Sequence, residues 1–383
     1  MGTACRAHTA MPLNAFIFIG SEGRSPLEQW VMGARVATAG DLLRTLAALP
    51  EVGRCIIATH SPQLAEAHRD WPVTWDVDSR TQPFHFGQRL AALTTAYPAE
   101  AYAYFGAGCA PLLPSATLAE SVAAVGRLDG PQAITNNLLS SDWLIFNCAD
   151  AIRARTHRLE RDNMLAPVLK FEAEVDIRSL PAEAATRADI DTPADLFALS
   201  LHPRLRQLAP GLAAFFDEQP VPVAMQALWR SAQRALSTPG GRITLIGRVS
   251  SSVWHHLESR TRCWTRVLSE ERGMTASGRQ AAGQVRSVVA THMWGVGPEA
   301  FFAELGEMAD AVFFDTRVAL AHLNAWPDAG ERYASDAGQP ELIGDERLRA
   351  LTQAAIHAPI PVVLGGHGVV AGDLYALLDG GNF

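Results

Sequence analysis

Ala15-Phe16-Ile17-Phe18-Ile19-Gly20-Ser21-Glu22-Gly23-Arg24-Ser25-Pro26 is the stretch from which the rest of this chain can be read. Five consecutive apolar residues, rich in β-branched and aromatic side chains and ended by a glycine, describe a strand buried on both faces, as in a parallel sheet. The glycines that follow let the backbone turn tightly. Ser25-Pro26-Leu27-Glu28 then has the form of a capping box, with proline just inside a helix start. A strand, a glycine turn and a helix in succession are the opening of a βαβ unit. Gly20, Ser21 and Gly23 could turn backbone N–H groups toward an anion, and Arg24 could add a guanidinium that grips phosphate at two points. The same residues would also make an ordinary tight β–α turn.

Outward from this stretch the rhythm continues. Ala15–Gly20, Arg54–Thr59, Tyr102–Gly106 and Trp143–Asn147 read as strands, with helices such as Asp41–Leu49 and Gly87–Ala96 between them. This alternation predicts a mostly parallel sheet with helices on both faces. Pro203–Asp217 and Pro222–Leu236 read as helices, and Ser237-Thr238-Pro239-Gly240-Gly241 as a linker. The alternation then resumes with strands Ile243–Val249, Val285–Thr291, Ala311–Asp315 and Pro361–Leu364, and helices Ser252–Leu268, Pro298–Ala309 and Asp345–His357. The expected organisation is α/β throughout: a first domain over residues 1–202, a helical connector over 203–241, and a second three-layer α/β domain over 242–383.

Ala188-Asp189-Ile190-Asp191-Thr192-Pro193-Ala194-Asp195-Leu196 places two carboxylates, one residue apart, just before a capped helix. Such a pair can converge on a divalent cation, which a nucleoside triphosphate needs to screen its phosphates. Together, the glycine turn and Asp-Ile-Asp-Thr-Pro-x-Asp-Leu resemble the nucleotidyltransferase-like superfamily with a GT-A-type, Rossmann-like fold, in particular the molybdenum-cofactor and phospholactate guanylyltransferases. The resemblance covers about residues 14–200. It implies that Gly20, Ser21, Gly23 and Arg24 hold a triphosphate, that Asp189 and Asp191 bind Mg2+, and that the phosphate of a small phosphorylated substrate attacks the nucleotide α-phosphorus and releases pyrophosphate. Two positions depart from the pattern. In Phe105-Gly106-Ala107-Gly108-Cys109-Ala110-Pro111 a cysteine, Cys109, stands where the resemblance places a metal-binding aspartate, and Gln29 stands near the place of a loop lysine. Without those groups the domain would be a binding or assembly module, and any chemistry would lie further along the chain. Val168-Leu169-Lys170-Phe171-Glu172 reads as a further strand, with Lys170 at an edge. Asp142 and Trp143, after Asn136-Asn137, are either pocket residues or turn and core residues.

In the second domain the polar residues gather at predicted strand ends, where open α/β sheets place their ligands. Gly247-Arg248 runs into Ser250-Ser251-Ser252, which suits either an anion or a plain helix cap. Glu270 to Arg286 reads as a loop with spaced arginines, either closing over an anionic substrate or simply solvated. Asp315-Thr316-Arg317 ends one strand, Arg332 to Asp336 reads as loop, and Gly365-Gly366-His367-Gly368 ends the last strand. Three glycines around one histidine point to close backbone approach or positive φ, and so to His367 at a site. Asp315, Asp336 and His367 are candidate acid–base or metal-binding groups, with Gly365 and Gly366 against a ligand.

Composition bounds the function. Of 383 residues, 32 are Lys or Arg, and a single lysine, Lys170, leaves arginine to carry nearly all the positive charge. A lysine Schiff base, a lysine-dependent P-loop or a polybasic lysine tail is therefore nearly excluded. A net charge of −8 argues against a nucleic-acid or anionic-membrane surface. No apolar run reaches the roughly 20 residues that span a bilayer. Five scattered cysteines without a C-x-x-C pair fit a reducing cytoplasm. At 48% hydrophobic and 19% charged, the chain can build a sizeable core. The expected partners are a nucleotide and a small phosphorylated substrate, with a homo-oligomer compatible with the sequence.

Overall fold

A computed structural model describes residues 12–20, 23–78, 83–125 and 130–379. The residues group into two compact units: Met1–Ser21, Thr38–Cys109 and Leu113–Ala182 form one, and Glu22–Ala37, Ala110–Leu112 and Glu183–Phe383 form the other.

In the first unit seven strands form one sheet: β1 (Leu13–Phe18), β2 (Val52–Thr59), β3 (Thr74–Val77), β4 (Tyr102–Gly106), β5 (Gln132–Thr135), β6 (Trp143–Phe146) and β7 (Asp176–Ser179). The order is β3-β2-β1-β4-β6-β5-β7. β1 lies parallel to both β2 and β4, and only β6 runs against its neighbours. The central position of β1 explains its unbroken apolar run, since both faces are covered. An aromatic row crosses three strands: Phe16 stacks on Tyr102 at 5.7 Å between centroids, and Tyr102 on Phe146 at 5.5 Å. The alternation Tyr102-Ala103-Tyr104 turns both tyrosines to the face that also carries Phe86, Leu90 and Leu165.

One expected strand of this unit is a helix. Residues 168–172 belong to the helix Leu165–Glu172, in which Leu165, Val168 and Leu169 are buried. A short apolar run has no period of its own, and here the i, i+3, i+4 spacing decides for helix. Lys170 lies on its outer side, 3.9 Å from Asp176.

The second unit holds a four-stranded, wholly parallel sheet: β8 (Arg242–Gly247), β9 (Trp264–Ser269), β10 (Ala311–Asp315) and β11 (Val362–Gly365), in the order β11-β10-β8-β9. Val312, Phe314, Val362 and Leu364 pack with Phe302, Leu305, Leu348 and Leu351 in one core. Phe313, of opposite parity, meets Trp229 of the helix Val223–Ser237 at 6.4 Å. Three expectations change here. Residues 252–268 divide into the helix Ser251–Arg260 and the strand β9, because Trp264, Thr265 and Val267 are better suited to a pleated edge. The expected strand 285–291 instead leads into the helix Val288–Val296, whose start Ser287 caps by accepting from the Ala290 amide at 2.8 Å. Arg332 to Asp336, read as loop, lie on the helix Ala329–Asp336, capped by Asp328. Both capping boxes are formed: the Ser25 amide donates to Glu28 Oε2 at 2.9 Å, and Asp195 reaches back to the Thr192 amide at 2.6 Å. Among the described residues no helix is long and apolar enough to cross a membrane.

Candidate functional site

The C-terminal ends of β8, β10 and β11 bring together the residues that sequence analysis picked out in the second unit. β8 ends at Gly247 with φ +117°, and a Cβ there would lie 2.5 Å from that of Asp315. This is one position where glycine is needed on both counts, conformation and close approach. It lets Arg248 fold onto Asp315, with Nε 2.6 Å from Oδ2 and Nη2 3.1 Å from Oδ1. Asp315 is fully buried. Burial alone would raise its carboxyl pKa, but the charge and hydrogen bonds of Arg248, with the charge of Arg317, hold it below the ordinary carboxylate value.

Beside it lies a second fork. Arg317 donates through Nη1 to Asp336 Oδ1 at 2.8 Å and through Nη2 to Oδ2 at 2.5 Å, and Nη1 also reaches Thr316 Oγ1 at 2.9 Å. Both partners are buried. Burial pushes the Asp336 carboxyl upward and Arg317 pulls it back. Two parallel N–H to oxygen bonds are the geometry of the ionised pair.

Gly365 and Gly366 carry the chain from β11 into the turn of His367. A Cβ on Gly365 would stand 2.8 Å from Ala194 Cβ, one on Gly366 3.0 Å from Thr192 Cγ2, and one on Gly368 1.9 Å from Asp195 Oδ1. The glycine cluster therefore serves close approach, and what it approaches is the capped start of the helix Pro193–Ser200. Gly368→Ala should destabilise the protein by about 1–3 kcal/mol, because the methyl meets a buried carboxyl with no room to withdraw. A urea unfolding midpoint equal to that of the parent would refute this contact.

His367 is exposed, and its Nε2 lies 3.2 Å from the Arg248 carbonyl oxygen. Desolvation of the ring, then the Arg248 charge, lowers its pKa to about 4, so the imidazole is neutral at pH 7. In the neutral ring Nε2 must carry the hydrogen that meets the carbonyl. That puts the lone pair on Nδ1, in a ring whose lowered pKa makes it a weak base.

The Asp189–Asp195 motif belongs to the same unit as these strand ends. Asp189 is half-buried. Asp191 pairs with Arg35 at 3.0 Å, and its carbonyl accepts from the Tyr333 hydroxyl at 2.6 Å. The buried carboxyl of the motif is a third one, Asp195. Its Oδ2 accepts from the amides of Asp191 and Thr192 and from the Thr192 hydroxyl. Asp195 Oδ1 and Asp373 Oδ2 are buried with no donor from any other group, and both lie within 3.3 Å of the position of a Cβ on Gly368. Burial, then the Asp191 charge, raises the Asp195 pKa to about 7, and burial followed by the Asp195 charge raises that of Asp373 well above the ordinary value. Two such carboxyls share one proton. Asp195 was legible in the sequence as a capping-box residue. Asp373 carried no local signal.

Among the described residues no group of three or more His, Cys, Asp and Glu side chains is arranged to hold a metal ion. In the second unit Asp191 is engaged by Arg35. The polar loop from Glu270 is held at both ends. The Glu270 carboxylate accepts from Ser287 Oγ and from the Val288 amide, and Glu271 pairs with Arg279 at 2.6 Å. Ser250 caps the helix Ser251–Arg260 through the Val253 amide at 3.2 Å.

In the first unit Gly20 follows β1 and is exposed, and no atom of the described residues lies within 4 Å of where its Cβ would be. Ser21 lies outside the described residues. In the second unit Gly23 packs against the helix start, where a Cβ would lie 2.1 Å from Glu28 Cβ, and Arg24 is exposed. Gln29 Nε2 donates to the Gly23 carbonyl at 3.4 Å. After β4, Gly108 has φ +87° and Cys109 is buried. Asp142 and Asn136 bond one another at 2.6 Å and 3.1 Å, while Trp143 is core, stacked on Phe105.

No family profile matches the chain, and no curated protein matches it. Solved structures similar to about half of it are nucleotide-diphospho-sugar transferase and cytidylyltransferase-like proteins. A chain from Desulfovibrio desulfuricans G20 assigned as a nucleotide-diphospho-sugar transferase is 15% identical over 56% of this chain and 97% of its own, with a TM-score of 0.41. A cytidylyltransferase from Leptospira borgpetersenii is 15% identical over 55% and 95%, with a TM-score of 0.39. A 4-diphosphocytidyl-2C-methyl-D-erythritol synthase from Anaerococcus prevotii is 12% identical over 45% and 87%, with a TM-score of 0.33.

Proposed function

We propose that the first unit binds a nucleoside triphosphate beyond the C-terminal ends of β1 and β4, and that this chain is a nucleotidyltransferase-like protein acting on a small phosphorylated molecule. The observation that supports this reading is the strand order. β1 lies between β2 and β4, so the connections on its two sides diverge, and open α/β sheets bind ligands in the crevice at such a switch point. Gly20, at this end of β1, is exposed. In the transfer, a phosphate oxygen of the acceptor would bond to the α-phosphorus as the bond to the β-phosphate oxygen breaks, and pyrophosphate would leave.

A second reading is favoured by Cys109 and by the pairing of Asp191 with Arg35. On that reading the first unit binds a nucleotide without turnover, and any chemistry belongs to Asp315 and His367. One experiment addresses both readings. At about 100 times Kd, a ligand bound only by the folded state adds about 2.7 kcal/mol, which should raise the melting temperature by several degrees. The expected result is such a shift with one nucleoside triphosphate plus magnesium, accompanied by pyrophosphate release when the acceptor is supplied. A shift without release, with magnesium-dependent binding strengthened in Cys109→Asp, would favour the second reading. No shift with any triphosphate would overturn both.

A further inference from the structure

The second sheet has a switch point of its own. In the order β11-β10-β8-β9 the chain leaves β8 toward β9 on one side and leaves β10 toward β11 on the other, so the two connections diverge between the C-terminal ends of β8 and β10. Open α/β sheets bind ligands in the crevice at such a place. Arg248 follows β8, His367 follows β11, and Arg272 follows β9 with its charge acting on the His367 ring. Asp315, the carboxylate at the end of β10, is closed to a ligand. It is fully buried, and its oxygens accept from the Arg248 amide at 3.3 Å, from Arg248 Nε at 2.6 Å and Nη2 at 3.1 Å, and from the Arg317 amide at 3.2 Å.

What Asp315 leaves over is cationic. It takes the Nε and Nη2 side of the guanidinium, and among the described residues Arg248 Nη1 has no hydrogen-bond partner. The Arg248 side chain keeps 19% of its surface exposed, and a carboxylate that grips one edge of a planar guanidinium fixes the direction of the other. Arg272 is exposed and pairs with no carboxylate among the described residues. The acids next to it in the chain are engaged elsewhere, Glu270 by Ser287 and the Val288 amide, and Glu271 by Arg279. Beside Arg248 the neutral His367 ring presents an acceptor, because Nε2 donates to the Arg248 carbonyl and the lone pair is on Nδ1.

From this arrangement we infer that the strand ends of the second sheet bind the phosphate group of a small phosphorylated molecule through Arg248 Nη1 and Arg272, with a hydroxyl of the same ligand donating to His367 Nδ1. Two guanidinium groups call for a group with two charges, which a phosphate monoester approaches at neutral pH and a carboxylate does not. Arginine also meets phosphate oxygens with paired N–H donors, so a fixed guanidinium selects orientation as well as charge. A neutral apolar ligand would cover both cations and answer neither. The site lies in the second unit, requires neither nucleotide nor metal, and stands whichever reading of the first unit holds.

The test titrates the full-length protein, without nucleotide or metal, with glycerol 3-phosphate and with propyl phosphate, which has the same charge and no hydroxyl. Calorimetry at pH 7 and constant ionic strength gives the affinity, and the NMR spectrum of the histidine side chains, with His367 assigned from His367→Gln, gives the place. Glycerol 3-phosphate is expected to shift the His367 signals saturably and to bind about threefold more tightly than propyl phosphate, the worth of one neutral hydrogen bond. Arg272→Gln should weaken both ligands about tenfold, the worth of one charge-assisted bond. Arg262→Gln, which removes the same charge from an exposed position before the start of β9, should leave both within about twofold, since an exposed charge away from the site acts only through screened solvent. In His367→Phe the two ligands should bind equally. Circular dichroism and a cooperative melt confirm folding for each variant. An unshifted His367 signal, or equal effects of Arg272→Gln and Arg262→Gln, would overturn the phosphate site, and equal binding of the two ligands by the parent would overturn the contact with His367. Either failure leaves the triphosphate experiment above unaffected, because that one reads a different ligand.

Discussion

Asp373→Asn is expected to raise the thermal midpoint at pH 8 while leaving it close to the parent value at pH 4. The pair it interrupts is buried, and the Asp195 pKa is raised from 3.8 to about 7. Below pH 4 the carboxyl is protonated in the folded and unfolded chains alike, so its burial carries no ionisation cost. Between pH 4 and 7 the unfolded chain releases the proton and the folded chain keeps it, and stability falls by about 1.4 kcal/mol per pH unit. Above pH 7 the loss levels off at about 4 kcal/mol, an order-of-magnitude figure from the same shift. Asp191 and Asp336 add negative charge to the pair and deepen the effect. An amide at position 373 supplies Asp195 with an N–H that is not lost as the pH rises, in place of the shared proton, and Oδ2 already accepts from two amides and a hydroxyl. The gain at pH 8 should be about 1–3 kcal/mol. Thermal melts of both proteins from pH 4 to pH 8 decide the matter. Parallel curves would mean that the two carboxyls do not share a proton.

Removing one side of the inner fork should have the opposite sign. Arg317→Ala leaves the Asp336 carboxylate buried with neither arm of its partner, and such a loss costs about 3–5 kcal/mol. Replacing both residues together, Arg317→Met with Asp336→Leu, removes the unpaired charge and should recover most of that loss. Arg317→Lys should recover little, because one ammonium cannot reproduce the fork. Denaturant unfolding of the three variants separates these outcomes. If the double variant were as unstable as Arg317→Ala, packing rather than charge would account for the loss.

Local signals were readable where they are complete within a few residues. The apolar run of β1, the Tyr-x-Tyr alternation of β4 and the two capping boxes each hold their physical cause within one turn or one pleat. Residues 168–172 and 285–291 were not readable in this way, since four or five apolar residues satisfy either period and the choice rests on what lies against them. The arginines show the same limit. From sequence Arg248 looks like an anion-binding group and Arg317 a polar residue at a strand end, and the fold pairs both with buried aspartates.

The amino-acid sequence by itself determined an α/β protein with two sheets, the strand that centres the first of them, and the glycines and carboxylates worth watching. Tertiary structure alone decided which carboxylates meet. Asp189 and Asp191 are adjacent to Asp195 in the chain, yet the partner of Asp195 is Asp373, 178 residues away, and the glycines after β11 are there to let that approach happen. The reason is physical. Propensity and capping act over one helical turn, whereas a shared proton requires two carboxyls to lose water in the same place, and only the packed fold brings that about.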